Sequence, residues 1–163
     1  NSGPSNLHII APHHIEGAFV DELTSEMGPS LVRLSDLDAV DQTPRIILVD
    51  TMGDLADLYQ FANVAYVGGG FGSGIHSILE PAAHGKPLIF GPKHAHFGEA
   101  QSLIDTGAAK CVMTEADFSN AVDFYRSVAN FEVAQKALKS YLTESRGATK
   151  RIVDYLTQQN WLT

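Results

Sequence analysis

The run Tyr66-Val67-Gly68-Gly69-Gly70-Phe71-Gly72-Ser73-Gly74-Ile75-His76-Ser77-Ile78-Leu79-Glu80-Pro81 sets out an apolar strand, a glycine cluster and a helix start in that order, with an imidazole and a carboxylate at its far end. Glycines let backbone N–H groups approach an anion closely, and a following helix adds unpaired N–H groups and the positive end of its dipole. The chemistry this order suits is a phosphate cradle, and hence a nucleotide site. Spacing narrows the nucleotide. A dinucleotide fingerprint needs G-x-G-x-x-G, yet Gly68-x-Gly70 is followed by Ser73 and Gly72-x-Gly74 by Ser77. A P-loop needs G-x4-G-K-[ST], whereas Gly85-Lys86 runs into Pro87. What remains is His76 at the mouth of the loop and Glu80 four residues on, expected to share one helix face and to reach a phosphate and a ribose diol respectively. Ser73 and Ser77 read as turn and N-cap residues first and ligand contacts second.

Such a loop needs a sheet behind it, and the pattern supplies one. Leu7–Ala11, Leu31–Leu34, Ile46–Val49, Val64–Val67, Pro87–Phe90 and Ala109–Met113 read as strands. Between them, helices are expected over Glu16–Met27, Asp54–Ala62, Ser77–His84 and Phe97–Thr106, with Gly28-Pro29 and Gly85 as stops and the acidic stretch through Asp41 as loop. Strands then cease, and Ala116–Val128, Phe131–Arg146 and Ala148–Gln158 read as a helical tail. The fold class is therefore α/β: a Rossmann-like, doubly wound parallel sheet, with ligands expected outside the carboxyl ends of its strands. Pro12-His13-His14, Asp50-Thr51-Met52-Gly53-Asp54, Gly68–His76 and Gly91-Pro92-Lys93-His94 all follow strands and so belong to that edge.

Composition bounds the function. A chain of 163 residues with 44% hydrophobic and 18% charged residues suits one soluble domain, taken as residues 7–163 after a linker at 1–6. No apolar run approaches the ~20 residues of a spanning helix. A net charge of −8 argues against nucleic-acid binding, so any anion must be met by local devices such as loop amides and helix ends. The single Cys111 excludes an internal disulfide and is expected on a buried strand. Seven histidines raise the question of metal, but His94-x-His96 is a loop pair with no cysteine and no obvious carboxylate partner nearby in sequence, and neither metal nor cofactor is expected.

Three blocks in order carry a resemblance: Asp50-Thr51-Met52-Gly53-Asp54-Leu55, the glycine loop with Gly74-Ile75-His76-Ser77-Ile78-Leu79-Glu80-Pro81-Ala82, and Gly85-Lys86-Pro87-Leu88-Ile89-Phe90-Gly91-Pro92. Together with Ile10-Ala11-Pro12-His13-His14, they make the chain resemble the C-terminal half of 3-deoxy-D-manno-octulosonic acid (Kdo) transferases, glycosyltransferases of two Rossmann-like domains (GT-B). The resemblance implies a whole enzyme that moves Kdo from CMP-Kdo to a lipid A precursor, with inversion, on the cytoplasmic face of the inner membrane. It also implies that an N-terminal half lies outside this chain, carrying the general base, the acceptor site and any membrane anchor.

Carried over residue by residue, the donor site comprises Pro12, His13, Met52, Gly53, Asp54, Gly70, Ser73, Gly74, His76, Ser77 and Glu80. His76 and the helix start would stabilise the CMP phosphate, Glu80 would hold the ribose, and the main chain of Met52 and Gly53 would line the base. This chain departs from the family where His13 replaces Arg, Asp54 replaces Glu, Ile75 replaces Gly and Ser77 replaces Asn; losing Arg removes a permanent bidentate charge. Two further readings stay open: a UDP-sugar transferase or epimerase domain, and a non-catalytic nucleotide-binding or interaction module.

Overall fold

The structure, a computed structural model, describes residues 6–13, 15, 18–41 and 43–161. Residues 1–5 of the expected linker, His14 and the expected helix start at Glu16 fall outside the described residues. The chain divides into two compact units, Asn1–Leu58 and Tyr59–Thr163.

In the first unit, strands β1 (His8–Ile10), β2 (Leu31–Arg33) and β3 (Ile46–Leu48) form a parallel sheet in the order β1-β3-β2. Ile9 stands opposite Ile47, and Val32 opposite Ile47 on the other side. Helix α1 (Ala18–Met27) covers it by burying Val20 against Leu31 and Leu48. Gly28 takes a φ of +51° and ends the helix in a 3-10 turn through Ser30, as its Gly-Pro stop suggests. The acidic stretch expected as loop is instead a 3-10 helix, Leu34–Ala39. Its cause lies fifteen residues away, where the Asp50 carboxylate accepts from both the amide and the hydroxyl of Ser35, at 3.1 and 2.7 Å.

The expected helix Asp54–Ala62 shrinks to α2 (Leu55–Leu58), followed in the second unit by a 3-10 turn, Tyr59–Phe61. Tyr59 leaves the α-helical course to pack on the second unit's core. In that unit β4 (Ala65–Val67), β5 (Leu88–Phe90) and β6 (Ala109–Cys111) form a parallel sheet in the order β4-β5-β6. Every residue of β5 is fully buried, which is why this segment is a continuous apolar run rather than an alternating one. Its side chains divide by pleat: Leu88 and Phe90 join Ile75, Ile78, Ala82, Leu103 and Leu138 on one face, while Ile89 meets Val112, Ala121, Tyr125 and Ala134 on the other.

Around this sheet lie α3 (Leu79–Ala83), α4 (Gly98–Asp105), α5 (Glu115–Arg126), α6 (Val128–Ser145) and α7 (Ala148–Gln158). Helix α5 starts at a capping box: Thr114 accepts from the Asp117 amide at 3.1 Å, and the Asp117 carboxylate accepts from the Thr114 amide at 3.0 Å. Cys111 sits on a strand as expected but is only half-buried. Burial, with help from Asp117, holds its thiol above the ordinary range.

Candidate functional site

The glycine loop leaves β4 and is closed by its own backbone. The Gly69 carbonyl accepts from the amides of Gly72 and Gly74 at 2.8 and 3.1 Å, and the Gly68 carbonyl accepts from His76 at 3.2 Å. Gly69 has a φ of +87°, and a side chain there would collide with the Gly74 carbonyl oxygen. The loop is also sewn to the segment after β5. Lys93 donates its amide to the Gly70 carbonyl at 2.9 Å, and its own carbonyl accepts from Ile75 at 3.2 Å. The backbones of Gly70 and Gly91 meet face to face, so that a Cβ on Gly70 would lie 2.6 Å from the Gly91 nitrogen.

These bonds revise how the cradle is built. The amides of Gly72, Gly74 and His76 are consumed inside the loop and that of Ile75 by the Lys93 carbonyl, whereas among the described residues those of Ser73 and Ser77 meet no backbone acceptor. Both serines are exposed. Ser77 is not the N-cap; α3 begins two residues later, with Ile78 at the cap position and no side-chain capping bond. The reason is packing: Ile75 and Ile78 are 3% and 0% exposed, and sinking both into the core holds residues 74–78 in an irregular course instead of a helical turn. His76 therefore lies outside the helix, and the expected shared helix face with Glu80 is not formed. A helix of only five residues also contributes little dipole, so the loop and its side chains must supply most of the positive field.

Glu80 is the second residue of α3 and is exposed. Pro81, next to it, sits in the first turn, where its missing N–H costs little. Tyr59 lies close enough for Glu80 to act on it: burial raises the phenol above its ordinary range, and the Glu80 charge raises it further. The imidazole of His76 lies over the Gly68–Gly69 turn, since a side chain on Gly69 would come within 3.4 Å of its Cδ2. His94 is half-buried, with its ring 5.2 Å from Phe90 and Nδ1 3.3 Å from the Gly91 carbonyl oxygen, while His96 is exposed. Among the described residues no three His, Cys, Asp or Glu side chains gather as a metal site would require.

Lys93 is not among the donor-site candidates read from the sequence, yet it reaches the glycine loop. Its ammonium donates to the Gly72 carbonyl at 2.6 Å, on the rim of the loop. The available signal was its place just after β5, a strand adjacent and parallel to β4, whose following loop must leave the same sheet edge. Beside the loop, Tyr66, Phe71, Val112, Met113 and Phe118 line an apolar groove of about 410 Å³, with Tyr66 and Phe118 edge to face at 5.5 Å.

The remaining candidates belong to the first unit. Pro12 and His13 follow β1, and Met52, Gly53 and Asp54 follow β3; the two strands are adjacent and parallel, so these loops also share one edge of their sheet. Met52 is 83% exposed, and Gly53 beside it has a φ of +98° with open space around it. Asp54 is exposed and its carbonyl accepts from Leu58 at 3.0 Å. Asp50, at the root of this loop, feels burial, which raises its pKa, but the Ser35 bonds, its own amide and the Arg33 charge outweigh this and hold the carboxyl below the ordinary aspartate range. Thr51 Oγ1 is buried with no partner among the described residues.

No family model matches the chain. It is 30% identical over 158 residues, 94% of its length, to a 3-deoxy-D-manno-octulosonic acid transferase of Haemophilus influenzae, of which it covers 37%. The chain is homologous to the Kdo transferases. A second such relative, a probable mitochondrial 3-deoxy-D-manno-octulosonic acid transferase of Arabidopsis thaliana, is 32% identical over 148 residues, 85% of this chain and 33% of the plant protein. The chain thus spans little more than a third of these Kdo transferases. Its fold matches the crystal structure of the C-terminal CMP-Kdo binding domain of WaaA from Acinetobacter baumannii, with a TM-score of 0.68 and 25% identity over 83% of this chain and 73% of that one. The α/β, Rossmann-like class expected from the strand and helix alternation is the fold of a GT-B Kdo transferase's C-terminal domain. Among the described residues, no helix of this Kdo transferase homologue is long and apolar enough to cross a membrane.

Proposed function

We propose that this chain is the donor-binding part of a Kdo transferase, with residues 7–163 acting as one nucleotide-sugar-binding domain. The observation that carries the reading is the coincidence of two things: a fold neighbour whose protein binds CMP-Kdo, and a self-closed glycine loop followed by an exposed Glu80 at the start of α3. Glu80 accepts hydrogen bonds from the ribose hydroxyls. The Ser73 and Ser77 amides and the His76 imidazole hold the phosphate, where charge develops as the sugar leaves. Gly70 and Gly74 shape the loop, while Pro12, His13, Met52, Gly53 and Asp54 surround the nucleoside, with the main chain at Met52 and Gly53 reading the base.

The whole enzyme moves Kdo from CMP-Kdo to a lipid A precursor with inversion, at the cytoplasmic face of the inner membrane. The general base and the acceptor site come from an N-terminal domain, and this chain by itself binds CMP and turns nothing over. A thermal-shift comparison tests the donor class. CMP raises the melting temperature more than UDP at equal concentration; a larger shift with UDP moves the chain to UDP-sugar chemistry, and no shift with either leaves the donor role without support.

A further inference from the structure

We infer that Lys93 is the permanent positive charge of the phosphate subsite, a role that rests on the donor-binding reading above. Across residues 68–80 and the loop 91–97, Lys93 is the one lysine or arginine in the sequence. An ammonium brings a full positive charge and three donors, whereas a neutral imidazole brings one donor and no charge. In a chain of net charge −8, a dianionic ligand at this loop is favoured by a local cation beside the loop amides, since the five-residue α3 adds little dipole.

Geometry fixes where that cation sits. The Lys93 main chain is tied to the loop in both directions, by its amide on Gly70 at 2.9 Å and by its carbonyl under the Ile75 amide at 3.2 Å. Its Nζ then lies 2.6 Å from the Gly72 carbonyl oxygen, next to the exposed Ser73. An ammonium has three donors; one is held by Gly72, and two remain for oxygens of a ligand. A tether alone needs only the first of these bonds. The face-to-face approach of Gly70 and Gly91 already joins the two loops through backbone, so the charge itself is surplus to holding them together.

The test compares CMP, which carries a phosphate, with cytidine, which does not, on the full chain and on Lys93→Gln, Lys93→Arg and Lys93→Met. Glutamine keeps a donor for Gly72 without charge, and arginine keeps the charge. Isothermal titration is expected to show CMP binding weakened by about tenfold or more in Lys93→Gln and Lys93→Met, as loss of a charge-assisted contact implies. Cytidine affinity stays level, and Lys93→Arg restores most of the preference for CMP. The CMP affinity of the unaltered chain falls with added salt, and this dependence flattens in Lys93→Gln. An unchanged ratio of CMP to cytidine affinity in Lys93→Gln overturns the role of Lys93 while leaving the donor site standing. Failure of the unaltered chain to bind either compound removes the donor-binding reading itself, and the inference with it.

Discussion

Replacing Gly70 with alanine tests whether the loop is held by backbone contact. The new Cβ would lie 2.6, 2.7 and 2.9 Å from the Gly91 N, Cα and C atoms, against an ordinary carbon contact of about 3.5–4.0 Å. Those neighbours are main chain and cannot rotate aside, so the two loops must separate by several tenths of an ångström or more. Overpacking of this kind costs about 1–3 kcal/mol. Stretching the Lys93 amide bond to Gly70 adds about 1 kcal/mol, and the lower entropy of unfolded alanine returns somewhat less than that. The net expectation is a loss of about 2 kcal/mol, which for a unit of roughly a hundred residues lowers the melting temperature by about 10 °C. Thermal and urea unfolding followed by far-ultraviolet circular dichroism measure it. Gly98→Ala is the control, since a Cβ there meets nothing within 4 Å. The Gly70→Ala and Gly91→Ala losses should also fail to add, because both remove the same approach. A Gly70→Ala protein within about 0.5 kcal/mol of the unaltered chain, no different from an ordinary surface change, would show that the Gly70–Gly91 contact does not hold the loop.

Two other perturbations separate site from scaffold. Glu80→Gln should leave unfolding unchanged, because the side chain is exposed, yet weaken CMP by about tenfold to a hundredfold in isothermal titration. Ser35→Ala should raise the Asp50 pKa toward the ordinary 3.8, read by carbon-detected NMR titration, and cost about 1 kcal/mol at neutral pH. The folded-state pKa lies below the unfolded one, so this stability is present above about pH 4 and is lost as pH falls through the folded value; the penalty of Ser35→Ala should fade in the same window.

Much of the scaffold was legible because it rests on local rules. Leu88-Ile89-Phe90 between Pro87 and Gly91 could only be a buried strand, and Ala148–Gln158 is the helix its periodicity describes. Failures came where distant contacts decide. The 3-10 helix at Leu34–Ala39 depends on Asp50, far along the chain, and the late start of α3 depends on Ile75 and Ile78 reaching a core that later strands complete. The Thr114-x-x-Asp117 capping box was readable and would have set the start of α5. At the candidate site, residue types carry the expectation of a nucleotide loop, but which amides stay available depends on hydrogen bonds to Gly69, Gly68 and Lys93 that no spacing reveals. Lys93 lay in plain view; its bond to Gly72 joins loops twenty-one residues apart.

In the proposed donor site, a nucleotide phosphate and its ribose settle on the loop after β4 and the start of α3. Amide NMR spectra of the isotope-labelled chain, recorded through a CMP titration, address it directly. Saturable shifts are expected at His76, Ser77 and Glu80, with Gly53 responding as the base is engaged. A folded protein whose amides at all these positions stay still at saturating CMP would contradict it.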